Sequence, residues 1–281
     1  ELMVQHISAL RVVGEPVLLS DPSEDFITDW MHRYDEARPL YDFLSPDGRR
    51  HEVWVITEAV AIEELQMSFA KTSRLYIADG HHRSASSVRY AQMKAEQGTA
   101  TAETGYFLSY IVAKDQVKIL AFHRLLKSLN GFTKDAFVAA MSELGSMKAI
   151  PGAAEPEKEH QFTICMGNDW YLFEPNHSYI NESNPVEQLD SFILSDLILK
   201  PLLGIVDLKT SNQVEFVPGN ESLSSIEDKI NSGKFEVGFI LHPATIDQVK
   251  EVADAGMNMP PKSTWVEPKL RSGLTIYQLH T

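Results

Sequence analysis

Cysteine is nearly absent: Cys165 is the single one in 281 residues, which excludes an intramolecular disulfide and a cage of thiolates around a metal. A reducing compartment is then the default, and the expected location is the cytoplasm. Basic residues are scarce too. Twenty-five Lys and Arg against 39 Asp and Glu leave a formal net charge of -14, which argues against nucleic acid as a partner and leaves room for a local pocket that takes small anions. No apolar run approaches the roughly 20 residues that span a bilayer, and no basic-then-apolar leader opens the chain, so no membrane partner is expected. The phosphate-binding pattern G-x-x-x-x-G-K-S/T, a G-x-G-x-x-G opening a helix and the G-x-S-x-G nucleophile elbow are all missing, which removes the common P-loop, Rossmann and α/β-hydrolase readings. There is no internal repeat and no sustained low-complexity tract.

What is present is an ordinary folded composition, 43% hydrophobic and 23% charged, long enough for one large domain or two modest ones. The first residue is Glu1, and residues 1–13 read as the interior of an amphipathic helix leading to an apolar strand, which points to a fragment with a segment upstream. Strands are predicted over residues 15–19, 39–44 and 51–57, the last two forming a hairpin around Ser45-Pro46-Asp47-Gly48, and helices over 23–34, with Ser23 as cap, and 59–70. A short strand over 75–78 and a helix running to about Gln97 follow, then strands over 106–113 and 116–125. The first lobe, residues 1–130, ends near Asn130-Gly131.

The second lobe, residues 131–281, opens with a helix over 133–144, a Pro/Glu-rich loop over 151–160 and a hairpin of 162–166 with 170–173. Further helices are predicted over 186–203, 224–231 and 245–255, with a core strand over 235–241 and a mostly irregular tail over 260–274. The fold class is α+β, an N-terminal lobe followed by a mixed α/β C-terminal lobe.

One stretch concentrates chemistry: Asp79-Gly80-His81-His82-Arg83-Ser84, set between the strand and the helix that carries Ala85, Val88, Ala91 and Ala95 at helical spacing. Gly80 frees the backbone for the reversal, and the unpaired amides of a helix N-terminus favour an anion even before Arg83 adds its fork of donors. On this reading Gly80, His82, Arg83 and Ser84 hold phosphates, while Asp79 binds magnesium or orients a hydroxyl; His81 joins Asp79 as a catalytic candidate. The plainer alternative is that Asp79 caps the helix and Arg83 pairs with a surface acid. A third is a metal site of Asp79, His81 and His82. His123 and Arg124 end a strand that pairing could set beside the turn, as phosphate ligands or as residues supporting them; the plainer reading is a strand-end histidine that is simply hydrogen-bonded. Lys262, Ser263 and Lys269 either close over a nucleotide or form a solvated tail; Trp54 stacks on a base or sits in the core; Glu52 and Glu58 are nearby carboxylates. Cys165 reads as a buried inert thiol.

The segment Tyr76-Ile77-Ala78-Asp79-Gly80-His81-His82-Arg83 resembles the signature of the domain of unknown function 1015 family, itself related to the ParB/sulfiredoxin-like superfamily. Leu120-Ala121-Phe122-His123-Arg124-Leu125, His242-Pro243-Ala244-Thr245 and the run Met259 to Leu270 resemble further segments of that family, so the likeness covers essentially the whole chain. The resemblance implies a ParB/sulfiredoxin-like N-terminal lobe whose glycine-to-arginine turn holds nucleotide phosphates. His81 stands where sulfiredoxins carry their reactive cysteine, which excludes that chemistry at this turn. Relatives that phosphorylate free serine share the turn more closely. The implied activity is phosphoryl transfer from ATP or ADP with Mg2+ to a small hydroxyl substrate such as serine; the alternative implied by ParB is a nucleotide-dependent regulatory switch without small-molecule chemistry.

Overall fold

The computed structural model describes residues 2–21 and 26–279, so the expected cap Ser23 lies outside the described residues. The chain forms two compact units, Glu1–Val117 with Pro268–Thr281, and Lys118–Glu267. It passes from one to the other twice. The division near Asn130 expected from sequence differs from this arrangement for a topological reason: the strand carrying His123 and Arg124 belongs to the second unit's sheet, and the C-terminal segment returns to the first unit.

The first unit contains α1 (Leu2–Leu10), β1 (Val12–Val13), β2 (Val17–Asp21), α2 (Phe26–His32), β3 (Tyr41–Leu44), β4 (Arg50–Val53), α3 (Ala59–Phe69), β5 (Tyr76–Asp79), α4 (His81–Glu96) and β6 (Ser109–Ala113). Strand β2 is the centre of a three-stranded sheet, antiparallel to β5 and parallel to β6. Its Val17, Leu18 and Leu19 are buried, as a central strand packed on both faces requires. Strands β3 and β4 form the expected hairpin, closed by Gly48 at a φ of 77° with its N–H donating to the Ser45 carbonyl.

The second unit contains β7 (Lys118–Leu126), α5 (Lys134–Leu144), β8 (Gly145–Ile150), β9 (Phe162–Met166), β10 (Asp169–Pro175), α6 (Asp190–Leu194), β11 (Val214–Pro218), α7 (Leu223–Asn231), β12 (Val237–Leu241), α8 (Ile246–Asp254) and β13 (Thr264–Glu267); β14 (Tyr277–Gln278) then pairs with β1 in the first unit. Its antiparallel sheet runs β11-β7-β12-β9-β10-β8, with β13 added alongside β7. One face packs Phe137, Phe162, Phe173, Ile198 and Phe239; the other packs Leu125, Cys165, Trp170, Ile226 and Ile240. Burying both faces explains why β9 and β12 read as continuous apolar runs instead of alternating ones.

The tail over 260–274 is mostly irregular, as expected, with one short strand at Thr264–Glu267 that pairs with Lys118 to Ala121. One expectation is corrected. The apolar run over 186–203 is not one α-helix: α6 has five residues and passes into a π-helical turn at Ser195–Leu199. Strands β8 and β11 had no sequence prediction. As a whole, the molecule is mixed α/β with several sheets and eight α-helices among the described residues. None of those helices is long and apolar enough to cross a membrane.

Candidate functional site

The strand-turn-helix at Tyr76–Glu96 forms as its sequence predicts. Strand β5 ends at Asp79, Gly80 adopts a φ of 95°, and α4 runs for 16 residues from His81. The pairing of β5 with β2 matches Leu18 to Asp79 and Leu19 to Ile77, so Ala78 is an extra, bulged residue just before the turn. Such a bulge re-aims the side chain that follows it. The N-terminus of α4 has no side-chain cap, so Asp79 does not cap the helix; the first intrahelical bond is Ser84 N–H to the Gly80 carbonyl at 2.9 Å.

Asp79 and Arg83 line a cavity of about 190 Å³ together with Glu15, Pro16, Leu18, Pro268, Lys269 and Leu270. All of these belong to the first unit. Arg83 Nη1 donates to Glu15 Oε2 at 2.8 Å, and its Nη2 lies 3.6 Å from Asp79 Oδ2. Lys269 Nζ donates to the same Asp79 oxygen at 3.1 Å, and Ser272 Oγ donates to Glu15 Oε1. Two cations and two carboxylates are therefore in alternating contact along this wall. Arg83 is the most enclosed of the four, and its Nε is buried without a hydrogen-bond partner.

His81, His82 and Ser84 are not among the residues that line this cavity. The two histidines are largely exposed, and Ser84 is half-buried. Packing around the His81 ring lowers its pKa, with the nearby His82 adding to the effect and Asp79 opposing it. That imidazole is thereby kept neutral near pH 7. Among the described residues no three His, Cys, Asp or Glu side chains are grouped to hold a metal, which overturns the site of Asp79, His81 and His82.

His123 and Arg124 lie on β7, and the partners of β7 are all strands of its own unit. The expected pairing beside the turn does not form. His123 Nδ1 accepts from Leu241 N–H at 3.3 Å, its Nε2 is buried and unpartnered, and burial with the neighbouring Arg124 brings its pKa down to about 4. Arg124 is completely buried; it donates to the carbonyls of Phe122 and Lys262 and lies over the Phe216 ring, and burial lowers its pKa to about 9. Lys262 stands over the Phe122 ring, and Ser263 bonds Ser191 and the Pro260 carbonyl. Trp54 donates to the Ala37 carbonyl, Glu52 pairs with Arg50, and Glu58 accepts from Thr57 N–H.

Two site residues, Glu15 and Ser272, were not singled out from sequence. They reach the turn across 68 residues from Arg83 and across 257 residues from each other. No local pattern marks them; a single acid ahead of a strand and a serine in a tail are too common to signal anything.

The family model described as "Protein of unknown function (DUF1015)" matches residues 1–192. A search of curated proteins finds no match. Among solved structures, the chain is similar to a mutant of free serine kinase in complex with AMP, at 15% identity over 95% of this chain and 78% of that one, with a TM-score of 0.46. It is also similar to a conserved hypothetical protein from Pyrococcus furiosus (13% identity, 94% and 81% covered, TM-score 0.44) and to SbnI with C-terminal truncation from Staphylococcus aureus (12%, 95% and 73%, TM-score 0.40). Likenesses this distant carry no argument about the site.

Proposed function

Because this chain belongs to the family described as Protein of unknown function (DUF1015), we propose its function from the chemistry of its own turn: it binds a nucleotide by the phosphates and transfers a phosphoryl group from ATP or ADP to a small hydroxyl compound, free serine being the first to try. The observation that carries this is a cavity lined by Arg83 and Lys269 beside the uncapped N-terminus of a 16-residue helix. Phosphoryl transfer needs donors around the phosphates, a carboxylate for the hydroxyl or for magnesium, and little else from the protein. Arg83, Lys269 and the amides after Gly80 supply the donors. Asp79 supplies the carboxylate, and His82 lies on the adjoining turn as a further donor. Magnesium is commonly held by one or two carboxylates together with phosphate oxygens. Asp79 and Glu15 are the carboxylates that line this cavity, and they would hold the ion once phosphate has drawn the cations away from them. The motif's resemblance to the ParB/sulfiredoxin-like superfamily and to its serine-phosphorylating relatives supports the same reading.

The test is product formation by the full-length protein. ADP or AMP should appear faster when serine is supplied, and Arg83→Ala should weaken nucleotide binding by roughly 1.5–3 kcal/mol, the range for a charge-assisted hydrogen bond. Unchanged affinity in that variant removes the phosphate role. A second reading, a nucleotide-dependent switch without small-molecule chemistry, is favoured by one specific observation: both carboxylates in the cavity are already paired with cations. Nucleotide binding or slow hydrolysis that ignores serine selects it.

A further inference from the structure

Arg83 faces an anion already, and that anion belongs to the protein. Glu15 takes its Nη1 with one oxygen, while its other oxygen accepts from Ser272. Ser272 sits in a C-terminal segment fastened along the first unit at several points. Lys269 holds Asp79, Arg271 Nη2 donates to Asp47 at 2.8 Å, Gly273 N–H donates to the Gly14 carbonyl at 2.8 Å, and β14 pairs with β1. Two of these fastenings, Lys269 to Asp79 and Ser272 to Glu15, are made by residues that line or adjoin the cavity itself. Any phosphate drawn to Arg83 and Lys269 must compete with the two carboxylates for the same donors.

Resting on the phosphate-binding reading above, we propose that Glu15 is a resident competitor for Arg83, and that its displacement by a polyphosphate releases Ser272 and loosens residues 268–273. The ligand class follows from the charges. A monoanion exchanges one carboxylate contact for another and gains nothing, whereas a pyrophosphate group presents several charged oxygens to Arg83, Lys269 and the α4 amides together. Once displaced, Glu15 stands at the cavity wall as a second carboxylate beside Asp79. The exchange makes the C-terminal segment report on occupancy: it is tied down when the cavity is empty of phosphate and freed when phosphate is bound.

The experiment measures binding of inorganic pyrophosphate to the full-length protein by calorimetry, with amide hydrogen exchange of residues 268–273 read in parallel. Glu15→Gln removes the competing charge and keeps the shape, so pyrophosphate should bind about tenfold more tightly than to the unaltered protein, while acetate should bind neither. Exchange in residues 268–273 should rise on adding pyrophosphate to the unaltered protein, and should already be raised in Glu15→Gln and in Ser272→Ala before any ligand is added. Weaker or equal binding by Glu15→Gln, with binding still weakened in Arg83→Ala, overturns the competitor role and leaves the phosphate site standing. No binding by either the unaltered protein or Glu15→Gln overturns the phosphate site and the competitor with it. Exchange that pyrophosphate leaves unchanged overturns the release of the segment.

Discussion

The guanidinium of Arg83 folds back over Gly80 so closely that a β-carbon at Gly80 would lie 2.8 Å from Nη2 and 2.9 Å from Nε. One residue thus answers two demands, the left-handed turn and the space for the cation. Substituting Gly80→Ala imposes both costs together. The φ of 95° is strained for any side chain, and the guanidinium must move. Unfolding in urea should show a loss of about 1–3 kcal/mol, and pyrophosphate binding should fall along with it. Retained stability would mean that the turn relaxes freely.

Asp79→Asn separates binding from turnover. The amide keeps an oxygen for Lys269 and Arg83 but loses the charge that orients a hydroxyl or holds magnesium, so nucleotide affinity should hold or rise while serine-dependent product formation disappears. Turnover that survives in this variant reassigns the carboxylate, with Glu15 next in line.

Two histidines of the second unit bound its stability from opposite sides of pH 6.5. His123 is buried neutral with its pKa near 4, against about 6.5 when unfolded. The unfolded chain therefore binds the extra proton first, and stability is lost as pH falls from 6.5 towards 4, by about 3 kcal/mol at the limit. His160 is the reverse case. Its Nδ1 lies 3.1 Å from Asp190, whose carboxylate raises its pKa; that contribution is fully present below pH 6.5 and disappears as pH rises through the raised value. Chemical denaturation across pH should therefore peak near 6.5, and His160→Asn should flatten the alkaline limb alone. A loss on the acid side in that variant would contradict the assignment.

Cys165 should be silent. It is fully buried on β9, and burial pushes its thiol up to about 12, the nearby Glu227 adding to the effect. A thiol reagent at pH 8 should label it only as fast as the second unit opens, so labelling and unfolding rates measured in the same urea should coincide. Rapid labelling of the folded protein would show an access route the packing does not provide.

Residues close in sequence announced themselves well. The turn at Gly80, the β3-β4 hairpin around Gly48, and the starts of α5 and α8 all depend on neighbours within a few positions, and each forms within a residue or so of where the pattern puts it. Distant pairing is another matter. Thr264–Glu267 is too short to display an alternation, and becomes a strand because the first residues of β7, Lys118 to Ala121, extend beyond its ladders with β11 and β12 and offer it a partner. The apolar run over 186–203 has the composition of a long helix, yet it holds five α-helical residues and a π turn, a distinction its composition does not carry. In the site, Asp79, Gly80 and Arg83 were visible as one motif, whereas Glu15 and Ser272 join it through strand order and the returning tail. For the same reason the cations of the pocket are met by carboxylates, Arg83 by Glu15 and Lys269 by Asp79.

The return of the tail also governs the order in which the protein is made. All of the second unit is continuous in the chain, so its sheet has every strand once residue 267 has left the ribosome. The first unit, although it emerges earlier, waits for β14 to reach β1 and for Leu279 to fill its place beside Ile7 and Tyr90. Within residues 1–281, the unit whose strands emerge first is the one whose pairing is completed last.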